Sequence, residues 1–115
     1  MWFKNRVVVS GEVIYEIVTA DDNADFGVAA ADIDLSKRHF HGRTEEVYVL
    51  LSGALRVRLQ RETHGVSQDV CLNSFGASVT IPLGILHSAK SIGSGPARVL
   101  VITKPAWTSE DHHLA

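Results

Sequence analysis

Residues 39–46 read His-Phe-His-Gly-Arg-Thr-Glu-Glu, which puts two imidazoles and two carboxylates within eight positions. On a β-strand, His39 and His41 project from the same face, and two imidazoles at that spacing can share one metal ion. A short turn then leads to Glu46, which opens the apolar run Val47-Tyr48-Val49-Leu50-Leu51. A carboxylate at the start of a returning antiparallel strand can come back to the face of the histidine pair. Glu45 is its neighbouring alternative. A third imidazole, His87, follows Pro82-Leu83-Gly84, and Pro-x-Gly is turn chemistry that would aim this histidine back toward a sheet.

Other side chains carry weaker signals. Tyr48 shares parity with Glu46, so it is a candidate catalytic residue, offering a hydroxyl to substrate or shuttling a proton, or else a plain pocket wall. Phe40 points away from the histidine pair, as core or sheet packing. Arg43, Arg56, Arg58 and Lys90 are the cations that could steer an acidic substrate, against the ordinary reading of a solvated face. His64 falls in a turn, and His112 and His113 in the tail; all three read as structural or solvated.

The elements that must position these groups are strands. Nine glycines punctuate the chain, most of them 8 to 16 residues apart, as many short strands joined by turns require. Apolar, β-branched runs lie at 7–9, 12–18, 27–35, 47–51 and 98–103. Residues 54–60 alternate, with Leu55, Val57 and Leu59 on one face and Arg56, Arg58 and Gln60 on the other, which predicts a half-buried strand and then a second one near 68–72. Helical patterning is confined to the C-terminus, where Thr108 and Asp111 fit a loose capping box before a turn or two of helix. The expected architecture is an all-β barrel or double-sheet roll in one domain, residues 1–115.

With those residues in view, the chain resembles a small single-domain cupin of the type-2, mannose-6-phosphate isomerase-like group. The family's first motif has His-x-His, three or four residues, a glutamate, six residues and a glycine. His39, His41, Glu46 and Gly53 match it over about 39–53. The second motif, about 76–91, is matched at Gly76, Pro82, Gly84 and His87. Ile33 stands where the first motif begins with glycine, and Ser91 where the second ends with asparagine. The six-residue interval to Gly53 favours Glu46 over Glu45. The stretch Pro-Ala-Trp-Thr-Ser-Glu-Asp after the last strand is similar to the tail of that broad group.

The resemblance implies a cupin-type double-stranded β-helix, a jelly-roll barrel with little helix, with one divalent transition metal per chain held by His39, His41, Glu46 and His87. Three imidazoles and a carboxylate make a mixed N/O site that Mn, Fe, Co, Ni and Zn all tolerate. Four protein ligands around a six-coordinate ion leave two positions open, where the metal can polarise an oxygen as a Lewis acid or hold dioxygen beside a substrate. The implied function is isomerase or lyase chemistry on a small oxygen-rich molecule: a sugar, a sugar phosphate or a hydroxy or oxo acid. A dioxygenase and a non-catalytic ligand-binding cupin are the alternatives.

Composition sets the remaining expectations. Eleven Lys+Arg against thirteen Asp+Glu give a formal charge of −2, which argues against a strongly basic nucleic-acid binder or a polybasic membrane-surface protein. No apolar run approaches the ~18 residues of a membrane span, and the first residues do not have the layout of a signal peptide. Cys71 is alone, so a reducing, cytoplasmic setting is expected, with the thiol as a small buried apolar group. Trp2, Phe3 and Trp107 are expected to cap the barrel or to meet a partner subunit in a homodimer.

Overall fold

A computed structural model describes residues 1–61 and 65–115; His64 lies outside the described residues. Among the described residues eleven strands follow in order: β1 (Asn5–Val9), β2 (Glu12–Val18), β3 (Gly27–Ile33), β4 (Leu35–Phe40), β5 (Glu45–Ser52), β6 (Leu55–Gln60), β7 (Ser67–Leu72), β8 (Ser78–Ile81), β9 (Leu86–Ser91), β10 (Ala97–Lys104) and β11 (His113–Leu114). They form two antiparallel sheets, one in the order β1-β2-β3-β10-β5-β8 and the other β11-β4-β9-β6-β7. The expected double-sheet β architecture is what the chain adopts. Among the described residues, no helix is long and apolar enough to cross a membrane.

The period-2 patterns translate directly into burial. On β6, Leu55 and Val57 are buried and Arg58 is exposed, so the alternating stretch faces as its sequence predicts. On β10, Ala97, Val99, Val101 and Thr103 are buried while the residues between them are not. The inward sets of β5, β6 and β10 meet in one core with Ile14, Ile33, Leu72 and Ile81. The run 27–35 is two strands rather than one, because the chain crosses from one sheet to the other at Asp34.

Both departures from the family pattern are absorbed locally. Ile33 is fully buried and fills core space. Ser91 donates its hydroxyl to the carbonyl of Gly95 and accepts the Gly93 amide at 3.3 Å, tying down the turn after β9. Gly84, in the turn before His87, has φ +76°, a conformation that a side chain would strain.

Two expectations fail. Cys71 is exposed: it pairs with Arg56 across β6 and β7 while Leu72, one residue on, takes the buried position. A strand can bury only every second residue, and leucine occupies that register. The Thr108–Asp111 capping box does not form: the helical turn expected there is present as the 3-10 turn Ser109–Asp111, but Thr108 makes no side-chain cap. Asp111 is engaged elsewhere, accepting the backbone N–H groups of Gly42 and Arg43 at 3.0 and 2.9 Å.

Candidate metal centre

The sheet registers build the site. β4 and β9 are neighbours, and His39 lies directly opposite His87. Their rings sit 4.1 Å apart between centroids. His41 follows the end of β4, its ring 5.1 Å from that of His39 and 5.4 Å from that of His87. Glu46 enters from the other sheet, on β5, which lies between β8 and β10. All four side chains are buried, and one ligand atom from each falls within 4.8 Å of every other.

The hydrogen bonds fix the chemical state of the rings. His39 Nδ1 donates to the carbonyl of Lys37 at 2.7 Å, His41 Nδ1 to that of Asp111 at 2.9 Å, and His87 Nδ1 to that of Ile85 at 3.0 Å. A carbonyl can only accept, so in each ring Nδ1 carries a proton and Nε2 is the nitrogen that faces the cluster, where it can give its lone pair to a metal. Glu46 Oε1 lies 2.9 Å from His41 Nε2 and 3.3 Å from His87 Nε2. Yet these three buried atoms have no aligned hydrogen-bond partner. Orphaned buried acceptors are costly, and their convergence on one point is the donor set a divalent metal satisfies. His39, His41, Glu46 and His87 therefore fit a single divalent transition metal, and this ligand set accommodates Mn, Fe, Co, Ni or Zn.

The electrostatics agree. Burial raises the Glu46 carboxyl, but the imidazoles of His41 and His87 outweigh it and hold the group well below the usual carboxylate range. Burial pushes His39 down to about 3, helped by the neighbouring His87. His41 is also pulled down by burial, and the carboxylate of Glu46 more than reverses this, so its net shift is upward.

Three contributors to the site were not assigned to it from the sequence: Glu12, and also His112 and Asp111, which were read as structural. Glu12, on β2, is 3% exposed and accepts the Ser36 hydroxyl at 2.7 Å; its Oε2 stands 4.0 Å from His39 Nε2. Burial pushes its carboxyl up to about 7. His112 stacks on His39 at 4.0 Å and 16°, with its Nε2 2.7 Å from Ser10 Oγ. Asp111 orients His41 through its carbonyl and the 42–43 loop through its carboxylate. The signal for Glu12 was its phase with the inward Ile14; the other face of β2, Val13-Tyr15-Ile17, is the more apolar one and reads more readily as core.

A narrow cavity, open to solvent at its mouth, leads away from the cluster and is lined by Glu12, His39, His41, Glu46, His112 and the wall of Trp107, among others. Tyr48 is not among its lining residues. Its ring is buried in the core 6.5 Å from that of His87, and burial raises its hydroxyl well above the ordinary tyrosine value. Arg43 and Lys90 are exposed, Arg58 is bound to Asp69 at 2.8 Å on the outer surface, and none of the four cations singled out in the sequence lines the cavity. Phe40 stacks on exposed His113 at 5.0 Å. Trp2 and Phe3 pack on Tyr15, with Arg98 over Trp2 and Tyr15 at 5.6 Å.

Solved structures share this fold. An oxalate decarboxylase variant from Bacillus subtilis superposes with a TM-score of 0.79 over 96% of the chain, at 18% identity. The chain has the cupin fold. CapF, solved with the inhibitor 3-isopropenyl-tropolone, gives 0.79 over 96% at 14% identity. The Lactobacillus farciminis oxalate decarboxylase formate complex gives 0.76 over 91% at 16%. The chain spans about a third of these proteins, covering 30%, 33% and 32% of their lengths. Neither a protein-family model nor a curated sequence matches it.

Proposed function

We propose that this cupin is a metal-dependent enzyme that moves a proton on a small oxygen-bearing molecule, in isomerase or lyase chemistry. The observation that carries this reading is the second buried carboxylate, Glu12, opening on the same cavity as the His39–His41–Glu46–His87 cluster. A bound divalent metal supplies a Lewis acid that polarises a substrate oxygen. Glu12 carries the proton: burial raises its carboxyl, to about 7 in the metal-free protein, toward the range where it both accepts and releases a proton. Ser36 holds the Glu12 carboxylate in place through its hydroxyl. The Nδ1 bonds of the three ligand histidines keep their rings aimed at the cluster. We assign proton transfer to Glu12 in preference to Tyr48, which lies outside the cavity lining. The motifs shared with mannose-6-phosphate isomerase-like cupins support isomerase chemistry, and the decarboxylases among the similar structures support a lyase.

The reading extends to a homodimer in a cytoplasmic setting. Support for the dimer comes from the outer face of the first sheet, where Val13, Tyr15, Val47, Val49 and Leu100 alternate with buried residues and remain half-exposed. A sheet with two apolar faces is ordinarily covered on both. The lone Cys71, with no disulfide partner, supports a reducing compartment.

Elemental analysis of tag-free protein tests the centre: close to one transition metal per chain is expected, lost in the double variant His39→Ala, His87→Ala. Retention of metal by that variant would sink the four-ligand assignment. Catalysis is tested by Glu12→Gln, expected to keep its metal and lose turnover in a substrate panel. Tight ligand binding with no turnover by the native protein would instead favour a non-catalytic binding module.

A further inference from the structure

The cavity behind the metal cluster has a chemical bias of its own. Among the described residues that line it there is no lysine or arginine, whereas three carboxylates, Glu12, Glu16 and Glu46, do line it. Arg98, a cation on β10, is turned to the outer face and held there by Asp32 at 2.7 and 2.8 Å. A phosphate or carboxylate on the part of a ligand remote from the metal would find no lysine or arginine to pair with among the described lining residues.

The walls away from the cluster are apolar. They come from Ile14 and Val18 on β2, Val101 on β10 and the indole of Trp107. β3 turns its smallest side chains to this space, Gly27 and Ala29. A Cβ at Gly27 would stand 2.6 Å from Thr103 Oγ1, so the wall is already closed to anything larger there. Ala29 on that inward face leaves space beside it that the core does not fill, and this space opens to solvent at its mouth. Carboxyl oxygens accept hydrogen bonds in either protonation state, so hydroxyl donors on the ligand complement this lining.

We infer that the cavity takes an uncharged, hydroxyl-bearing molecule with an apolar body: two neighbouring oxygens face the His/Glu cluster and the body lies between Ala29 and Trp107. This deepens the reading under Proposed function and rests on it for the placement of the oxygens. It sets sugar phosphates and oxo acids aside in favour of neutral diols, enols or phenols.

The probes are catechol and protocatechuate, which share the same pair of oxygens and differ by one carboxylate on the ring. Binding is measured by calorimetry on protein with zinc, which is redox-inert, and again without metal. Catechol is expected to bind at least about tenfold more tightly than protocatechuate in both states. Ala29→Leu, which fills the body site, is expected to weaken catechol by at least about tenfold while zinc stoichiometry stays unchanged. Equal or tighter binding of protocatechuate, no catechol binding in either state, or an Ala29→Leu variant that binds catechol normally would each overturn the inference. Failure to bind zinc would refute the metal centre instead, and the metal-free comparison would still decide the neutral-ligand claim.

Discussion

Glu12 should make the protein less stable than it would otherwise be, and the penalty should depend on pH. The unfolded carboxyl ionises near 4.5, the folded one near 7. Between those values the folded state holds a proton that the unfolded state has released, so stability is greatest below the lower value and falls as pH rises through the upper one. At about 1.4 kcal/mol per pH unit, the full penalty is about 3 kcal/mol. Glu12→Gln keeps the shape and an acceptor for the Ser36 hydroxyl but cannot ionise. Urea unfolding of metal-free protein should therefore find the variant about 3 kcal/mol more stable than the native chain near pH 8, and by less than about 1 kcal/mol near pH 5. An equal effect at both pH values, or no gain near pH 8, would show that Glu12 ionises like an ordinary carboxylate and would remove its claim to proton transfer. A side chain that weakens its own fold beside a metal cluster is the pattern expected of a group kept for function.

The opposite pH limb belongs to the histidines. His39 and His112 are held neutral, down to about 3 and about 4, in both cases first by burial. Unfolding lets them take up protons near 6.5, so metal-free stability should also fall as pH drops from about 7 to 4, by at least about 3 kcal/mol in a urea series; a flat profile would refute the neutral assignment. Asp111→Asn replaces one of two acceptor oxygens facing the Gly42 and Arg43 amides. It should cost about 1–3 kcal/mol in denaturation and weaken metal affinity about tenfold or more in a chelator competition. His112→Ala should retain one metal per chain while losing about 1 kcal/mol, from its Ser10 bond and its stacking on His39; loss of metal would make it a ligand. Sedimentation should give twice the chain mass, and Leu100→Arg on the outer sheet face should return a monomer; a native monomer at micromolar concentration would remove the dimer.

How far the sequence reaches follows from how local each demand is. Strand parity is a property of consecutive residues, so the faces of β6 and the inward set Glu46, Tyr48 and Leu50 are legible without coordinates. His39 and His41 are two apart, Glu46 is one turn away, and His87 is fixed by its own turn and motif spacing, so the metal cluster too can be read from the chain. Parity alone could not say which face of a strand goes inward. Tyr48 has the phase of a pocket residue, yet it is packed beneath the cluster. On β2 the side facing in is the one that carries Glu12 and Glu16, because it borders a cavity rather than solid core.

The sequence by itself determined an all-β chain with one His/Glu cluster, because alternation and short spacings are written in neighbouring residues. Only the tertiary structure decided what surrounds that cluster. His41 is oriented by Asp111 at a separation of 70 positions. β11 pairs with β4 and brings His112 onto His39, and β2 brings Glu12 beside the same ring from the other sheet, three strands from the β5 that carries Glu46. No spacing rule links those positions. They become neighbours through strand order and the packing of two sheets, which the hydrogen-bond ladders and the buried core set together.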